Sequence, residues 1–348
     1  MTTDPATTPS YDIVPVRGTE SSLIRLIRRD IHDADDPLPE GDDARASWLY
    51  AKSPEGPATI LAMRVRGGPW IGMVAIVPRR MYMDGHSCSG AFLCDFYVNP
   101  RHRTILPALA LQRYAKQYLS DLGIANYAIP NGRSLPIFRR LGSDHVMQRM
   151  RWARPIRFRK YLSRRQIALA GIVGPVFDAS AFTFDHLRSA AAITVRPEWL
   201  SSIDERFDDL WKSVPTTGAF IGDRSSAYLR WRFLDEPRHD NRVLGFFRRG
   251  SDSLTGYLIG EVAQREFVIR DLLFSPNAAI DGLLARAMTS IRELNVDGIG
   301  LRAIGDPRLA ASLHRLGFRT RDPDTIFVRA SFETACANWY FTNADEDV

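Results

Sequence analysis

In the first half of the chain, the pattern of apolar and polar residues predicts short strands and helices. A period of two predicts strands at residues 11–16, 59–66, 71–82, 90–98 and 127–130. A helical period predicts helices at residues 21–32, 107–122 and 135–141. Turn signals at Gly67-Gly68-Pro69 and Asp84-Gly85 separate three consecutive strands. The predicted order is therefore βαβββαβα.

The second half repeats this pattern. Strands are predicted at residues 242–248, 254–262, 266–274 and 298–303, with a helix at 280–294. Residues 271–276 (DLLFSP) stand 176 positions after residues 95–100 (DFYVNP). Leu316-Gly317 stands 175 positions after Leu141-Gly142. Two landmarks at nearly the same offset predict tandem copies of one fold.

These patterns predict five segments of the chain. They are a disordered tail at 1–10, an N-terminal domain at 11–155, a basic and apolar helical linker at 156–200, a C-terminal domain at 201–334 and a C-terminal tail at 335–348. At the boundary between the N-terminal domain and the linker, residues 151–165 carry seven cations and no acid, and an apolar stretch at 167–177 follows. Two interpretations remain open, because such a helix can lie on an anionic membrane or pack its apolar face between two domains.

Composition narrows the class of protein. The 348 residues carry a formal net charge of +6, which favours phosphate-bearing partners without choosing among cofactors, carrier proteins, anionic lipid and nucleic acid. Cysteines at 88, 94 and 336 have neither disulfide nor metal-ligand spacing, which favours a reducing cytoplasm and predicts no metal. The N-terminus lacks a signal-peptide pattern, and no apolar run approaches the ~20 residues of a membrane-spanning helix. We therefore expect a cytoplasmic protein, with peripheral membrane contact as the open alternative.

Several classes of chemistry are disfavoured. The sequence contains no Walker loop, dinucleotide-binding G-x-G-x-x-G, H-E-x-x-H or G-x-S-x-G motif. Aromatic residues are sparse among the arginines, which argues against nucleic acid as a partner.

Residues 91–110 combine a strand, a basic turn and the start of a helix. The turn carries Arg101, His102 and Arg103, and the backbone N–H groups in the first turn of the helix have no helical partners. The helix dipole adds partial positive charge at the same point. This combination predicts an anion site, and the expected ligand is a pyrophosphate.

The same residues carry a family resemblance. The pattern formed by Val98, Pro100, Arg103, Leu106 and Ala108 resembles the fourth strand and acyl-CoA loop of the GCN5-related N-acetyltransferase (GNAT) superfamily. Leu106 stands where the family usually has glycine, and we expect its side chain to narrow the loop. Residues 131–142 (NGRSLPIFRRLG) resemble the family's closing motif, and residues 223–233 resemble a segment of bacterial tandem acyltransferases from cell-surface polymer or lipid-conjugate pathways.

The resemblance implies the fold and the co-substrate. It implies an α/β (α+β) protein of two GNAT-like domains, each a mixed, mainly antiparallel sheet flanked by helices, with strands four and five splayed apart. The acyl thioester of acetyl-CoA, a longer acyl-CoA or an acyl carrier protein would lie in that gap. The implied donor-binding residues are Phe96, Tyr97, Val98, Arg101, His102, Arg103, Thr104, Ile105, Leu106, Ala108, Asn131 and Phe138. Residues 277–280 (NAAI) of the second copy lack a cation and a glycine, so we expect no CoA there.

The implied activity is transfer of an acyl group to an amine or hydroxyl acceptor, and the alternative is a degenerate GNAT fold that binds acyl-CoA or a partner without turnover. Phe138 occupies the position of the tyrosine that often serves as general acid in the family. Tyr127 on the fifth strand is therefore the candidate acid, and Tyr97, His102 and water are the alternatives. Asp95 is the candidate base, since burial in an apolar strand would raise its pKa. A structural carboxylate paired with a nearby arginine is the other interpretation of Asp95, and the recurrence of an aspartate at Asp271 favours it.

Overall fold

The computed structural model describes residues 11–32, 37–142, 145–164, 170–217, 219–329 and 339–346. The predicted tail at 1–10 and Cys336 lie outside these residues. The elements of the first half are β1 (Tyr11–Arg17), α1 (Ser21–Ile31), α2 (Asp42–Ala51), β2 (Thr59–Val65), β3 (Trp70–Met83), β4 (His86–Val98), α3 (Ile105–Asp121), β5 (Ala125–Ala128) and α4 (Leu135–Arg140). The sequence did not predict α2, because the acidic, proline-containing segment before it favours a loop.

The second half continues with a similar alternation. Its elements are β6 (His145–Pro155), α5 (Phe158–Arg164), α6 (Ala170–Ser189), β7 (Val195–Leu200), α7 (Glu205–Ser213), β8 (Phe220–Gly222), α8 (Ser226–Leu229), β9 (Arg242–Arg248), β10 (Leu254–Ala263), β11 (Glu266–Phe274), α9 (Ile280–Arg292), β12 (Gly298–Ala303), α10 (Pro307–Arg315), β13 (Arg319–Arg329) and β14 (Trp339–Tyr340).

The described residues form two compact units. The first unit consists of the described residues within 11–80, 89–147 and 326–329. The second consists of the described residues within 81–88, 148–325 and 339–346. In the first unit the strand order is β1-β2-β3-β4-β5-β13, and β4 and β5 are a parallel pair. In the second unit the order is β6-β12-β11-β10-β9-β7, and β11 and β12 are a parallel pair. Each unit is thus built on a mixed, mainly antiparallel sheet.

The last strand of each half extends into the other half's unit. β6 follows α4 in the chain but pairs with β12 in the second unit, where Met150 lies opposite Ala303. β13 follows α10, and its final residues pair with β5 in the first unit, where Phe327 lies opposite Ala128. The division therefore differs from the predicted boundary at residue 155, because Trp152 of β6 is buried in the second unit's core.

The start of the predicted linker is a strand rather than a helix. Residues 151–155 belong to β6, and the helix begins only at Phe158, after Pro155. Arg154 is buried and forms an ion pair with Asp185 of α6 at 2.8 Å. Asp185 also accepts from Arg292 of α9 at 2.8 Å. The prediction of a continuous basic helix from residue 151 is wrong, and these ion pairs anchor the inner face of α6 to the second unit.

The outer face of α6 is apolar. Val176, Phe177, Phe184 and Leu187 recur at helical spacing and are exposed, Leu187 by 69%. The two acids of α6 lie elsewhere, since Asp185 is buried and Asp178 accepts a hydrogen bond from the backbone N–H of Phe158. In the part of the chain that the structure describes, no helix is long and apolar enough to cross a bilayer.

The outer face of α6 and the basic segment before it, apart from the buried Arg154, predict binding to anionic membranes, a contact that stays a prediction. We expect the protein to sediment with vesicles containing phosphatidylglycerol and to remain in solution with pure phosphatidylcholine. The double substitution Phe177→Asp/Leu187→Asp should weaken sedimentation at least about tenfold. Leu122→Asp, at the exposed C-terminal end of α3, is the matched control. Equal sedimentation of both variants, or none of the wild type, would contradict this prediction.

Candidate functional site

β4 and β5 run in parallel for four residue pairs and then separate. The pairs extend from Gly90 opposite Ala125 to Leu93 opposite Ala128. β4 continues to Val98, whereas β5 ends at Ala128. Beyond the last pair, this edge of β4 therefore has no β5 partner, and a gap opens inside the first unit.

A bulge at Asp95 sets the direction of the side chains at this gap. Asp95 has φ of +48°, a conformation that is uncommon for a non-glycine residue and costs about 1 kcal/mol. Leu93 and Phe96 both pack into the core beside α3, although strict alternation would place them on opposite faces. The predicted alternation through the strand is thus interrupted, and Asp95 and Tyr97 share the face opposite α3.

The gap contains a cleft of about 340 Å³. The structure brings together there eight of the predicted donor-binding residues, which are Phe96, Tyr97, Val98, Arg103, Thr104, Ile105, Ala108 and Asn131. They come from the end of β4, the first turns of α3 and the loop after β5. Three elements that are distant in sequence therefore form one continuous wall.

The other four predicted residues do not line the cleft. Arg101 and His102 lie in a 3₁₀ turn, where the Asn99 side chain accepts from the Arg101 N–H at 2.9 Å. Leu106 is 60% exposed and does not line the cleft, and the narrowing of the loop stays a prediction. Phe138 is buried beneath the cleft, with its ring 6.4 Å from that of Phe96.

Three lining residues were missed by the sequence reasoning. Arg133, Ser134 and Ile137 complete the cleft from the start of α4. The Asn131 side-chain oxygen accepts from the backbone N–H groups of Arg133 and Ser134, each at 3.0 Å, and so holds this corner in place. The sequence could have predicted these residues, because they follow Asn131 of the closing motif closely and must lie at the same rim of the cleft.

The cleft has a positive electrostatic character. Its lining residues include two cations, Arg103 and Arg133, and no carboxylate. The Arg103 Nε donates to the Val98 carbonyl at 3.1 Å, and its guanidinium lies 5.2 Å from the centre of the Tyr97 ring. Thr104 occupies the N-cap position of α3 without a side-chain capping bond, so the first-turn N–H groups face the same space. These features suit an anionic ligand.

Asp95 lies in a network of charged groups on the face opposite α3. Its carboxylate accepts from Arg45 at 2.9 Å and from the hydroxyl of Tyr50, and Arg28 lies 3.8 Å away. Arg28 also donates to Asp42 at 2.9 Å. The positive charges of the two arginines therefore balance the negative charges of the two aspartates. Both arginines are almost completely buried.

This network decides the pKa of Asp95. Burial alone would raise it, but the charge and hydrogen bond of Arg45, the charge of Arg28 and the Tyr50 hydroxyl lower the pKa to about 2. The expectation of a raised pKa is therefore wrong. Burial and the neighbouring Asp95 carboxylate raise the pKa of Tyr50 well above its ordinary value, so Tyr50 remains a hydrogen-bond donor.

Tyr127 and Tyr97 differ in their access to the cleft. Tyr127 is completely buried, packs against Phe92 with the rings tilted and their centres 5.1 Å apart, and does not line the cleft. Tyr97 lines it and stacks on His32, with ring centres 4.1 Å apart. His32 follows the last residue of α1, and the sequence pattern gave no reason to place it beside β4.

The aspartate of the second half has a similar setting in the second unit. The completely buried Asp271 accepts from Tyr257 at 2.7 Å, Thr342 at 2.6 Å and Arg224 at 3.2 Å. Burial raises the pKa of Asp271 despite the charge of Arg224. Across the described ranges, no cluster of three His, Cys, Asp or Glu residues is arranged to hold a metal ion.

Comparison with known proteins gives the fold. No protein-family model matches the chain, and a search of curated proteins found no relative. Solved structures are nevertheless similar over almost the whole chain. A probable N-acyltransferase from Enterococcus faecalis has a TM-score of 0.64 at 12% identity, covering 95% of this chain and 75% of that one. A GCN5-related N-acetyltransferase from Anabaena variabilis also gives 0.64, at 14% identity, covering 91% and 72%.

The N-myristoyltransferase of Saccharomyces cerevisiae, solved with bound myristoyl-CoA, has a TM-score of 0.52 at 12% identity, covering 95% of this chain and 82% of that one. At these identities the similarity shows the fold. The chain therefore has the GNAT fold, as its sequence motifs predicted, and the mixed sheet flanked by helices is confirmed. The tandem arrangement of two copies stays a prediction.

The network around Asp95 generates a stability prediction. Asp95→Asn leaves the buried Arg45 without its carboxylate, and we expect the free energy of unfolding at neutral pH to fall by about 3 kcal/mol. Because the pKa of Asp95 is lowered, its stabilising contribution is complete above its ordinary pKa of 3.8 and is lost as the pH falls towards 2. The difference between variant and wild type in urea unfolding should therefore shrink below about pH 4.

Asp12→Asn is the matched control for this experiment. Asp12 pairs with Arg66 on the surface of the same unit at 3.4 Å, and such exposed pairs contribute at most about 1 kcal/mol. Equal destabilisation of both variants would show that the network around Asp95 does not carry the stability assigned to it.

Proposed function

We propose that the protein is an acyltransferase that moves an acyl group from acyl-CoA, or from an acyl carrier protein, to an amine or hydroxyl acceptor. One observation carries the proposal. A cleft with two cations and no carboxylate lies where the parallel strands of a GNAT fold separate. One of the similar solved structures, an N-myristoyltransferase, has bound myristoyl-CoA, which supports an acyl-CoA donor.

The donor would bind through its phosphates and its pantetheine arm. Arg103, Arg133 and the first-turn N–H groups of α3 would hold the pyrophosphate, since charge-assisted bonds and helix N-termini both favour phosphate oxygens. The β4 edge from Phe96 to Val98 has backbone groups without a β5 partner, and these would align the arm and polarise the thioester carbonyl. A carrier protein presents the same arm, so both donors fit this arrangement.

Protonation of the leaving group is better assigned to Tyr97, which lines the cleft, than to Tyr127, and Asp95 is poorly suited to act as the base. A carboxylate with a pKa of about 2 is a weak base at neutral pH, and a completely buried tyrosine cannot reach a leaving group in the cleft. In the proposed step, the acceptor attacks the thioester carbonyl and the carbon–sulfur bond breaks. Solvent water takes the acceptor's proton, and the Tyr97 hydroxyl protonates the departing thiolate.

The alternative is a degenerate GNAT fold that binds acyl-CoA or a partner without turnover. Phe138 in place of the family's usual tyrosine favours this alternative. Turnover separates the two. Purified protein is mixed with acetyl-CoA, decanoyl-CoA or an acyl carrier protein and a panel of amines and alcohols, and release of free thiol is measured. Acceptor-dependent release supports the acyltransferase, whereas tight donor binding without release across the panel supports the alternative.

The donor site predicts the effect of removing its cations. Arg103→Ala and Arg133→Ala should each weaken acyl-CoA binding about tenfold, since each removes one charge-assisted contact worth about 1.4 kcal/mol. Isothermal titration calorimetry with acetyl-CoA measures the change. Arg101→Ala, a neighbouring cation outside the cleft lining, is the control and should bind almost as the wild type does. A larger loss in Arg101→Ala than in the other two would show that the phosphates bind elsewhere.

The proposed proton donor predicts a separate kinetic effect. Tyr97→Phe keeps the ring that stacks on His32 and removes only the hydroxyl, so we expect kcat to fall about 10²-fold with the KM for acyl-CoA almost unchanged. Tyr114→Phe, on the exposed side of α3, should leave kcat unchanged. Wild-type kcat in Tyr97→Phe would remove Tyr97 from the mechanism.

A further inference from the structure

The second unit contains a cleft that corresponds in position to the first. β11 and β12 pair in parallel as far as Ile269 opposite Leu301, and β11 then continues to Phe274. A cleft of about 410 Å³ lies between the end of β11 and the start of α10, a volume within the usual range of about 300–1,000 Å³ for ligand sites. Phe274 and Ile280 line it, and they stand 176 positions after Val98 and Thr104 of the first cleft.

The charged residues of the two clefts differ at equivalent positions. Asp306 and Arg308 line the second cleft and stand 175 positions after Asn131 and Arg133. Asp306 caps α10, and Asn131 makes a similar bond in the turn before α4. Each side chain accepts from the backbone N–H two residues later, at 2.7 Å for Asp306 and 3.0 Å for Asn131. The neutral amide of the first cleft is therefore replaced by a carboxylate in the second.

The carboxylate neutralises the single cation of the second cleft. The Arg308 guanidinium donates to Asp306 at 2.7 Å and to the Pro276 carbonyl at 3.0 Å. No other lysine or arginine is among the lining residues that the structure describes. A pyrophosphate would meet a carboxylate and a cation that is already paired, so phosphate-bearing ligands are disfavoured.

The rest of the second cleft is mainly apolar. Val214, Leu273, Phe274 and Ile280 contribute aliphatic and aromatic surface, and Tyr340 closes one side. Gly305 leaves space in the wall, because a Cβ atom placed there would lie 3.7 Å from its nearest neighbours, an ordinary contact distance.

From the charge and lining of this cleft, we propose that the second unit binds an uncharged, mainly apolar ligand, such as an aliphatic chain or ring, and does not bind CoA. Such a ligand gains from the burial of apolar surface and needs no counter-charge. The proposal is independent of the acyltransferase activity, since it uses no residue of the first cleft.

The test uses the full-length protein and the uncharged fluorescent probe N-phenyl-1-naphthylamine. We expect saturable binding of one probe per chain, displaced by 1-decanol and not by CoA. Gly305→Leu and Ile280→Trp fill the cleft from two sides and should each weaken binding at least about tenfold. Thr104 is the residue of the first cleft that corresponds to Ile280. Thr104→Trp should therefore leave probe binding unchanged.

A third variant controls for the apolar face of α6. Leu187→Asp should also leave probe binding unchanged, since that face lies outside the cleft. Loss of binding in Thr104→Trp or Leu187→Asp with retention in Gly305→Leu would overturn the proposal. Absence of saturable binding, failure of 1-decanol to displace the probe, or displacement by CoA would overturn it as well. These last results come from the wild type, so they decide the question even if a variant does not fold.

Discussion

The end of hydrogen bonding between β4 and β5 is the constraint on which the candidate site depends. A parallel pair that continued to Val98 would satisfy the backbone of β4 and leave no space for a ligand. Because the pairing stops at Leu93 and Ala128, the final residues of β4 keep backbone groups available in the gap. The first turns of α3 and α4 then reach the rim, and they bring Arg103 and Arg133 to one cleft.

The bulge at Asp95 has a cost, and the surrounding network offsets it. A non-glycine residue at φ of +48° is strained, yet Arg45, Arg28 and Tyr50 together bind its carboxylate. Asp271, its counterpart in the second half, likewise meets a tyrosine and an arginine. Each of the two aspartates thus contacts a phenol and a guanidinium. This shared setting favours a structural role for both aspartates. The chemistry then belongs to groups that differ between the halves.

The sequence predicted the parts of the site that depend on local pattern. Alternation located β4, and the stretch with Arg103 and the start of the helix does line the first cleft, because these signals lie close together in the sequence. The position of Tyr127 was misjudged, since placement on a strand alone does not tell which face of the sheet a side chain occupies. His32 was missed because its contact with Tyr97 joins residues from two distant elements. The exchange of β6 and β13 was missed for the same reason, as pairing between distant strands leaves no local pattern.

The central claim is that an acyl-CoA donor binds in the first cleft and not in the second. Amide hydrogen exchange, measured with and without saturating acetyl-CoA, tests it most directly, since exchange reports protection segment by segment. The account predicts slower exchange in residues 96–108 and 131–137, with residues 273–280 and 305–309 unchanged. Protection confined to the segments of the second cleft, or none at all when acetyl-CoA is saturating, would contradict it.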